Sequence, residues 1–200
     1  MRDLRVKEMT TAGIFGAIIL ALSLIPAPWG ATLGFIRVGF SPVELTIVHI
    51  PVIIGGIFGG KRVAIMLGAI FGVGSLLAAI IYGGVFAPFF YNPLVSILPR
   101  ILFGYFIYLF YRLLSKFIKN PTLSMTLTMA LSTIAHSLMV LTILFIFAFT
   151  TDAYQSVFPD YGLIAFLLFF LGWNALLEII IAVLVGTPIG LRIKEYKDQE

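Results

Sequence analysis

Six stretches of the sequence, residues 10–25, 42–58, 63–81, 92–111, 122–149 and 161–189, are almost wholly apolar, with lengths near those of helices that cross a lipid bilayer. This limits the fold more than any other feature, because a backbone inside hydrocarbon must satisfy its own hydrogen bonds and does so as a helix. With 60% hydrophobic and 11% charged residues the chain is far too apolar for a soluble domain. Its 200 residues suit one bundle of helices with short loops and leave no room for a separate catalytic domain. The expected fold is all-α and integral to the membrane, a six-transmembrane-helix bundle forming a single domain over residues 1–200. The second stretch is short for a span, and the fifth is long enough to require tilt.

Charge placement orients the bundle. Arg2, Arg5, Lys7, Lys61, Arg62, Arg112, Lys116, Lys119, Arg192, Lys194 and Lys197 all fall on the side of the termini when six spans are counted. The positive-inside rule then places the N- and C-termini in the cytoplasm. The net charge of +4 therefore marks a membrane edge and not a nucleic-acid partner. The basic start resembles the front of a signal peptide, but no small-x-small cleavage site follows, and Ile25-Pro26-Ala27-Pro28-Trp29 reads as a helix stop with an interfacial tryptophan. The absence of cysteine excludes disulfides and thiolate metal sites.

Between the spans, Leu33 to Phe40 alternates as a loop or short hairpin does. Ser41-Pro42 supplies a cap and first-turn proline for the second helix, with a kink expected at Pro51. Gly55 to Lys61 matches the opening of a phosphate-binding loop, yet Arg62 stands where a serine or threonine must hold magnesium and no strand precedes it. Gly59-Gly60-Lys61-Arg62 therefore reads as a tight turn between two spans.

Two basic residues depart from the charge pattern: Arg37 in the first outer loop, and Arg100 inside the fourth span. A guanidinium in such a span costs several kcal/mol (roughly 3 or more) unless something answers it, and arginine does not shed its proton to escape. The helix begins at Asn92-Pro93, and Pro99 leaves the carbonyl of Val95 without its helical donor, free to face a cavity. Pairing with Glu44, snorkelling outward and contact with an anionic ligand all remain open for Arg100. His49 lies at a similar depth in the second helix and could line the same outward-facing pocket. Asn174 and Glu178 share a face of the sixth helix at i, i+4, with Trp173 adjacent. Asn174 is the better placed for a ligand, and Glu178 suits a buried partner such as His136.

Neither His49 nor His136 has a second ligand at i+3 or i+4, so a helical metal site is not expected. No nucleophile, base and orienter can be assembled, so no catalytic residue is assigned and the chain reads as no enzyme. On the first helix Ala12, Gly13, Gly16, Ala17 and Ala21 make a face without side-chain bulk, suited to close approach of another helix.

Thr46-Ile-Val-His-Ile-Pro-Val-Ile-Ile-Gly-Gly56, Lys61, Gly68, Phe71-Gly72, Phe86-Ala-Pro88, Asn92-Pro-Leu94, Leu98-Pro-Arg-Ile-Leu102 and Gly104 follow in an order that resembles the substrate-binding S components of energy-coupling factor (ECF) vitamin transporters, closest to the pantothenate branch. The similarity covers about residues 10–190. It implies a multi-pass protein of the prokaryotic plasma membrane, with six helices and cytoplasmic termini. It also implies a site near the outer surface, built from the first outer loop, the loop before the fourth helix, and helices four to six. Arg100, Asn92 and Asn174 fall there, with Tyr91 and Trp173 beside them. The partners implied are a vitamin, a membrane scaffold subunit and two ATPases in other chains, which use ATP while this chain holds no cofactor. The family's alanine-xxx-alanine docking motif is matched by Ala12 to Gly16 or by Gly13 to Ala17. Pantothenate, whose carboxylate Arg100 would answer, is the first expectation. A folate, pyridoxine or pyrimidine type of vitamin, or a structural membrane subunit of similar architecture, stays open.

Overall fold

The computed structural model describes residues 2–29, 31–37, 44–84, 86–149, 151–152, 155, 162–197 and 199. Helix α1 (Arg2–Leu24) leads into two short strands, β1 (Phe35–Ile36) and β2 (Leu45–Thr46), paired antiparallel with Phe35 opposite Thr46. Then follow α2 (His49–Tyr82), the single turns α3 (Ala87–Phe90) and α4 (Pro93–Ser96), α5 (Leu98–Phe117) and α6 (Pro121–Ala148). The last helical run comprises α7 (Leu163–Phe170), a π turn at Leu171–Ala175, α8 (Leu176–Ile181), a second π turn at Ala182–Gly186, and α9 (Thr187–Lys197).

Five helical runs among the described residues are long and apolar enough to cross a membrane. One of them, α2, is broken at Gly60, whose φ of 78° and ψ of −174° only glycine adopts without strain. A Cβ on Gly55 would stand 2.5 Å from Leu67 Cδ1, and one on Gly56 3.0 Å from Ala64 Cβ. Residues twelve apart lie about 18 Å apart along a continuous helix, so the segment before Gly60 folds back on the segment after it. The protein is thus an all-α membrane bundle of five or six spanning helices.

Several boundaries differ from those expected. The second helix starts at His49, not at residue 42, because Leu45 and Thr46 pair with β1. The Ser41-Pro42 cap lies outside the described residues, as does most of the loop over 150–160. Pro51 makes no kink: it sits in the first turn of α2, where its missing N–H is one that a helix start leaves unpaired anyway. The fourth helix breaks into α4 and α5 at Ile97, just before Pro99, and continues to Phe117. Asn92 caps α4 by accepting from the Leu94 N–H, and Asn120 caps α6 in the same way.

Isoleucines, leucines and methionines such as Ile14, Ile18, Met66, Ile80, Leu109, Ile146 and Leu184 are exposed on the outside, as a lipid-facing surface requires. The core holds Ile19, Ile53, Leu67, Phe71, Phe103, Ile107, Met125 and Met129. Along α6, by contrast, Ser124, Thr128, Ser132, Thr133, His136 and Ser137 all point inward. Phe15 meets Gly55, and the Lys197 ammonium lies 5.3 Å from the Phe58 ring, so the middle of α1 and the end of α9 both sit on the Gly60 side of the bundle. At the opposite end the Tyr82 hydroxyl donates to the Leu24 carbonyl at 2.6 Å.

Candidate functional site

Pro99 shapes the site from one residue away. The Val95 carbonyl it leaves without a helical donor accepts from Arg100 Nη1 at 2.8 Å, as the position of the proline predicts. The guanidinium is held between two rings, its Cζ 5.5 Å from the Phe71 centroid and 5.3 Å from that of Phe90. Phe90 is kept there by the turn α3–α4, across which the Ser96 hydroxyl donates to the Phe90 carbonyl. Arg100 is 3% exposed and its Nε has no hydrogen-bond partner. Phe71 lies eleven residues from the Tyr82 end of α2, so the charge sits about 16 Å below that end.

Arg100 faces a cavity of about 390 Å³ whose walls come from β1, β2, α2, α3, α5, α6, the first π turn and α8. Such a volume lies within the range of small-molecule sites (~300–1,000 Å³). Its polar groups are few and fixed. Glu178 accepts from the Thr46 N–H at 2.8 Å and from the Ser137 hydroxyl at 3.0 Å, tying β2 to α6. Asn174 lines the cavity from the first π turn, an irregularity frequent at functional sites. His136 lines it from α6, its ring 5.4 Å from Phe71 and 4.9 Å from Phe103.

The mouth carries the other unusual arginine. Arg37 Nε bonds Glu44 Oε1 at 2.9 Å, while its Nη2 donates to the carbonyls of Tyr82 and Gly83 at 3.1 and 2.9 Å. This ties the segments flanking both strands to the end of α2. Glu44 therefore pairs with Arg37 and not with Arg100. Burial lifts the Glu44 carboxyl above its ordinary value, and the hydrogen bond and charge of Arg37 pull it only partly back.

Of the six residues expected around a ligand, Arg100 and Asn174 line the cavity. Asn92 does not, since its carboxamide caps α4. Tyr91 and Trp173 are 47% and 56% exposed and stand outside the lining. His49 also lies behind the wall, wholly buried and stacked on His136 at 5.9 Å. Because α2 begins at His49, that residue is the first of its helix and not two turns inside it. The Thr46 carbonyl is nearby without reaching hydrogen-bond geometry, and both ring nitrogens of His49 lack partners. The inward polar stripe of α6, with Ser137 and His136, is the sequence signal for the remaining walls: polar groups in an apolar span face the interior. Arg37, Glu44 and Thr46 lay in a loop that periodicity does not resolve.

The small-residue face of α1 divides in two. Ala12 and Gly16 are buried inside the bundle, where a Cβ on Gly16 would stand 3.0 Å from Ile70 Cδ1. These two face the interior of the bundle. Gly13 and Ala17 are exposed with Ile14 and Ile18, and nothing lies within 4 Å of a Cβ on Gly13.

The sequence is 29% identical over 203 residues to the pantothenic acid transporter PanT of Lactococcus lactis subsp. cremoris, covering 94% of each chain. It is 27% identical over 197 residues to the pantothenate transporter PanT of Leuconostoc mesenteroides subsp. mesenteroides, covering 95% of this chain and 93% of that one. Residues 7–190 match the family described as ECF transporter, substrate-specific component, and the chain belongs to that family.

Proposed function

We propose that this chain captures pantothenate at the outer face of a prokaryotic membrane and presents it to an ECF module made of a membrane scaffold subunit and two ATPases. The observation that carries the choice of ligand is Arg100, a permanent cation that lines the cavity and takes part in neither ion pair among the described residues. A ligand carboxylate answers that charge, and the names of both relatives point to the same vitamin. Asn174, Ser137 and Glu178 suit the amide and hydroxyl groups that pantothenate also carries.

The break at Gly60 supports six spans, and the basic residues gathered around that turn support cytoplasmic termini. The cavity then opens outward beneath the Arg37–Glu44 pair. The exposed Gly13–Ala17 face of α1 is the docking surface for the scaffold, in that register and not the buried Ala12–Gly16 one. ATP is used by the partners, and this chain contributes no cofactor.

Titration of the purified protein with a panel of vitamins, read by native mass spectrometry, tests the ligand directly. Pantothenate is expected to bind selectively. Selective binding of an uncharged vitamin, or of none, would sink the proposal.

The mouth yields a second expectation. Glu44 titrates at higher pH in the closed site than when exposed, so the closed form holds the extra proton and acid favours it. The same sign applies to folding, with stability from this group lost as pH rises through its folded value. Ligand release is therefore expected to slow as pH falls toward the ordinary carboxylate range, by no more than about five-fold for so accessible a pair. Glu44→Gln should be slow throughout. Stopped-flow dissociation that quickens in acid, or keeps its pH dependence in Glu44→Gln, would show that Glu44 does not gate the mouth.

A further inference from the structure

His136 is the one histidine in the cavity wall, and both of its ring nitrogens are buried without a hydrogen-bond partner. A polar side chain 97% removed from solvent is normally satisfied, and an orphaned one in a cavity wall calls for a partner that bonds it. Its neighbours leave it little freedom: Phe71, Phe103 and the His49 ring surround it. Phe71 also covers Arg100, so guanidinium and imidazole flank one ring. Arg100 likewise has an unpartnered donor, Nε, since the Val95 carbonyl takes Nη1. Two unmet groups from two helices thus belong to the wall of the same cavity.

We infer that His136 is a specificity-determining residue of the binding site, donating a hydrogen bond to the ligand carboxylate that Arg100 neutralises. An imidazole carries at least one N–H in either tautomer, and a carboxylate has two oxygens to share between two donors. Arginine supplies the charge and histidine the second direction, so that a planar anion is distinguished from a hydroxyl of similar size. His49 acts through His136 as a positioning residue, its ring stacked against the far face at an interplanar angle of 16°. This inference rests on the carboxylate ligand proposed above.

The test compares pantothenate with pantothenyl alcohol, in which a hydroxymethyl group replaces the carboxylate. Calorimetric titration is made on the wild-type full chain, on His136→Phe, which keeps the ring but not the donor, and on His136→Asn, which restores a donor. His136→Phe is expected to weaken pantothenate by roughly 10- to 100-fold and the alcohol by no more than about three-fold, with His136→Asn recovering most of the loss. Thermal unfolding without ligand confirms that each variant is folded; should His136→Phe not fold, His136→Asn against His136→Leu gives the same donor contrast. Equal losses for acid and alcohol, or pantothenate binding unchanged in the donor-less variant, overturn the inference alone. Wild-type protein that does not bind pantothenate overturns it together with the proposed function.

Discussion

Replacing Arg100 by alanine is expected to remove tight pantothenate binding, raising Kd by roughly 30- to 5,000-fold, which corresponds to about 2–5 kcal/mol. The size follows from burial. A carboxylate brought into the cavity loses much of its hydration, and without the guanidinium the other cation of the wall, Arg37, is already paired with Glu44. Arg100→Lys should fall between the two. Lysine supplies the charge but neither the planar group held between Phe71 and Phe90 nor the fork that bonds Val95 while leaving donors for a ligand. Thermal unfolding of the ligand-free protein separates this from a structural role. A buried cation without an ion pair contributes little to the fold, so Arg100→Met should melt at or above the wild-type temperature. The Glu178 oxygens keep Thr46 and Ser137 in that variant. Arg100→Ala with Kd within three-fold of wild type (about 0.6 kcal/mol), or Arg100→Met melting many degrees lower, would make Arg100 a structural residue.

How far the site could be read in advance depended on whether a residue's role was local. Asn92-Pro93 and Pro99-Arg100 carry theirs in the sequence itself. Capping is a matter of neighbouring N–H groups, and the Val95 carbonyl is freed by the proline that follows it. Gly60 was legible as a turn for the same reason, since Gly59-Gly60-Lys61 cannot continue an apolar span. Depth and rotation were not local. A helix beginning at residue 42 puts His49 in the cavity wall, whereas the pairing of Thr46 with Phe35 moves that start by seven residues. Tyr91 and Trp173 adjoin lining residues Phe90 and Asn174 in sequence, but neighbours on a helix point about 100° apart, so one faces the cavity and the next does not. The partner of Glu44 depended on Arg37 reaching the carbonyls of Tyr82 and Gly83, more than forty residues away. No periodicity records such a contact.

Gly68→Ala is expected to damage the protein out of proportion to one methyl group, lowering both its melting temperature and its affinity for pantothenate. A Cβ on Gly68 would stand 2.1 Å from the carbonyl oxygen of Arg100, and one on Gly104 2.2 Å from that of Ala64. One on Gly72 would stand 2.7 Å from the Ile97 Cα. Helices α2 and α5 therefore meet backbone to backbone, the close approach that small residues permit in membranes. Backbone atoms cannot rotate away, so the two helices must separate by roughly an ångström, losing contacts along the whole crossing at a cost of about 1–3 kcal/mol or more. That corresponds to a fall of at least several degrees in melting temperature for a chain of this size, on the order of 2–4 °C per kcal/mol. The displaced element is the one that carries Arg100, and the atom struck belongs to Arg100 itself. Binding should thus weaken by an order of magnitude or more, since an ångström of misplacement is enough to uncouple a fixed charge from its ligand. Gly13→Ala is the matched control: its new methyl meets nothing, and both melting temperature and affinity should stay at wild-type values. Differential scanning fluorimetry with calorimetric titration decides the matter. If Gly68→Ala melts lower yet binds pantothenate normally, the α2–α5 crossing holds the bundle together without positioning the charge. If it behaves as Gly13→Ala does, the two helices are not in backbone contact.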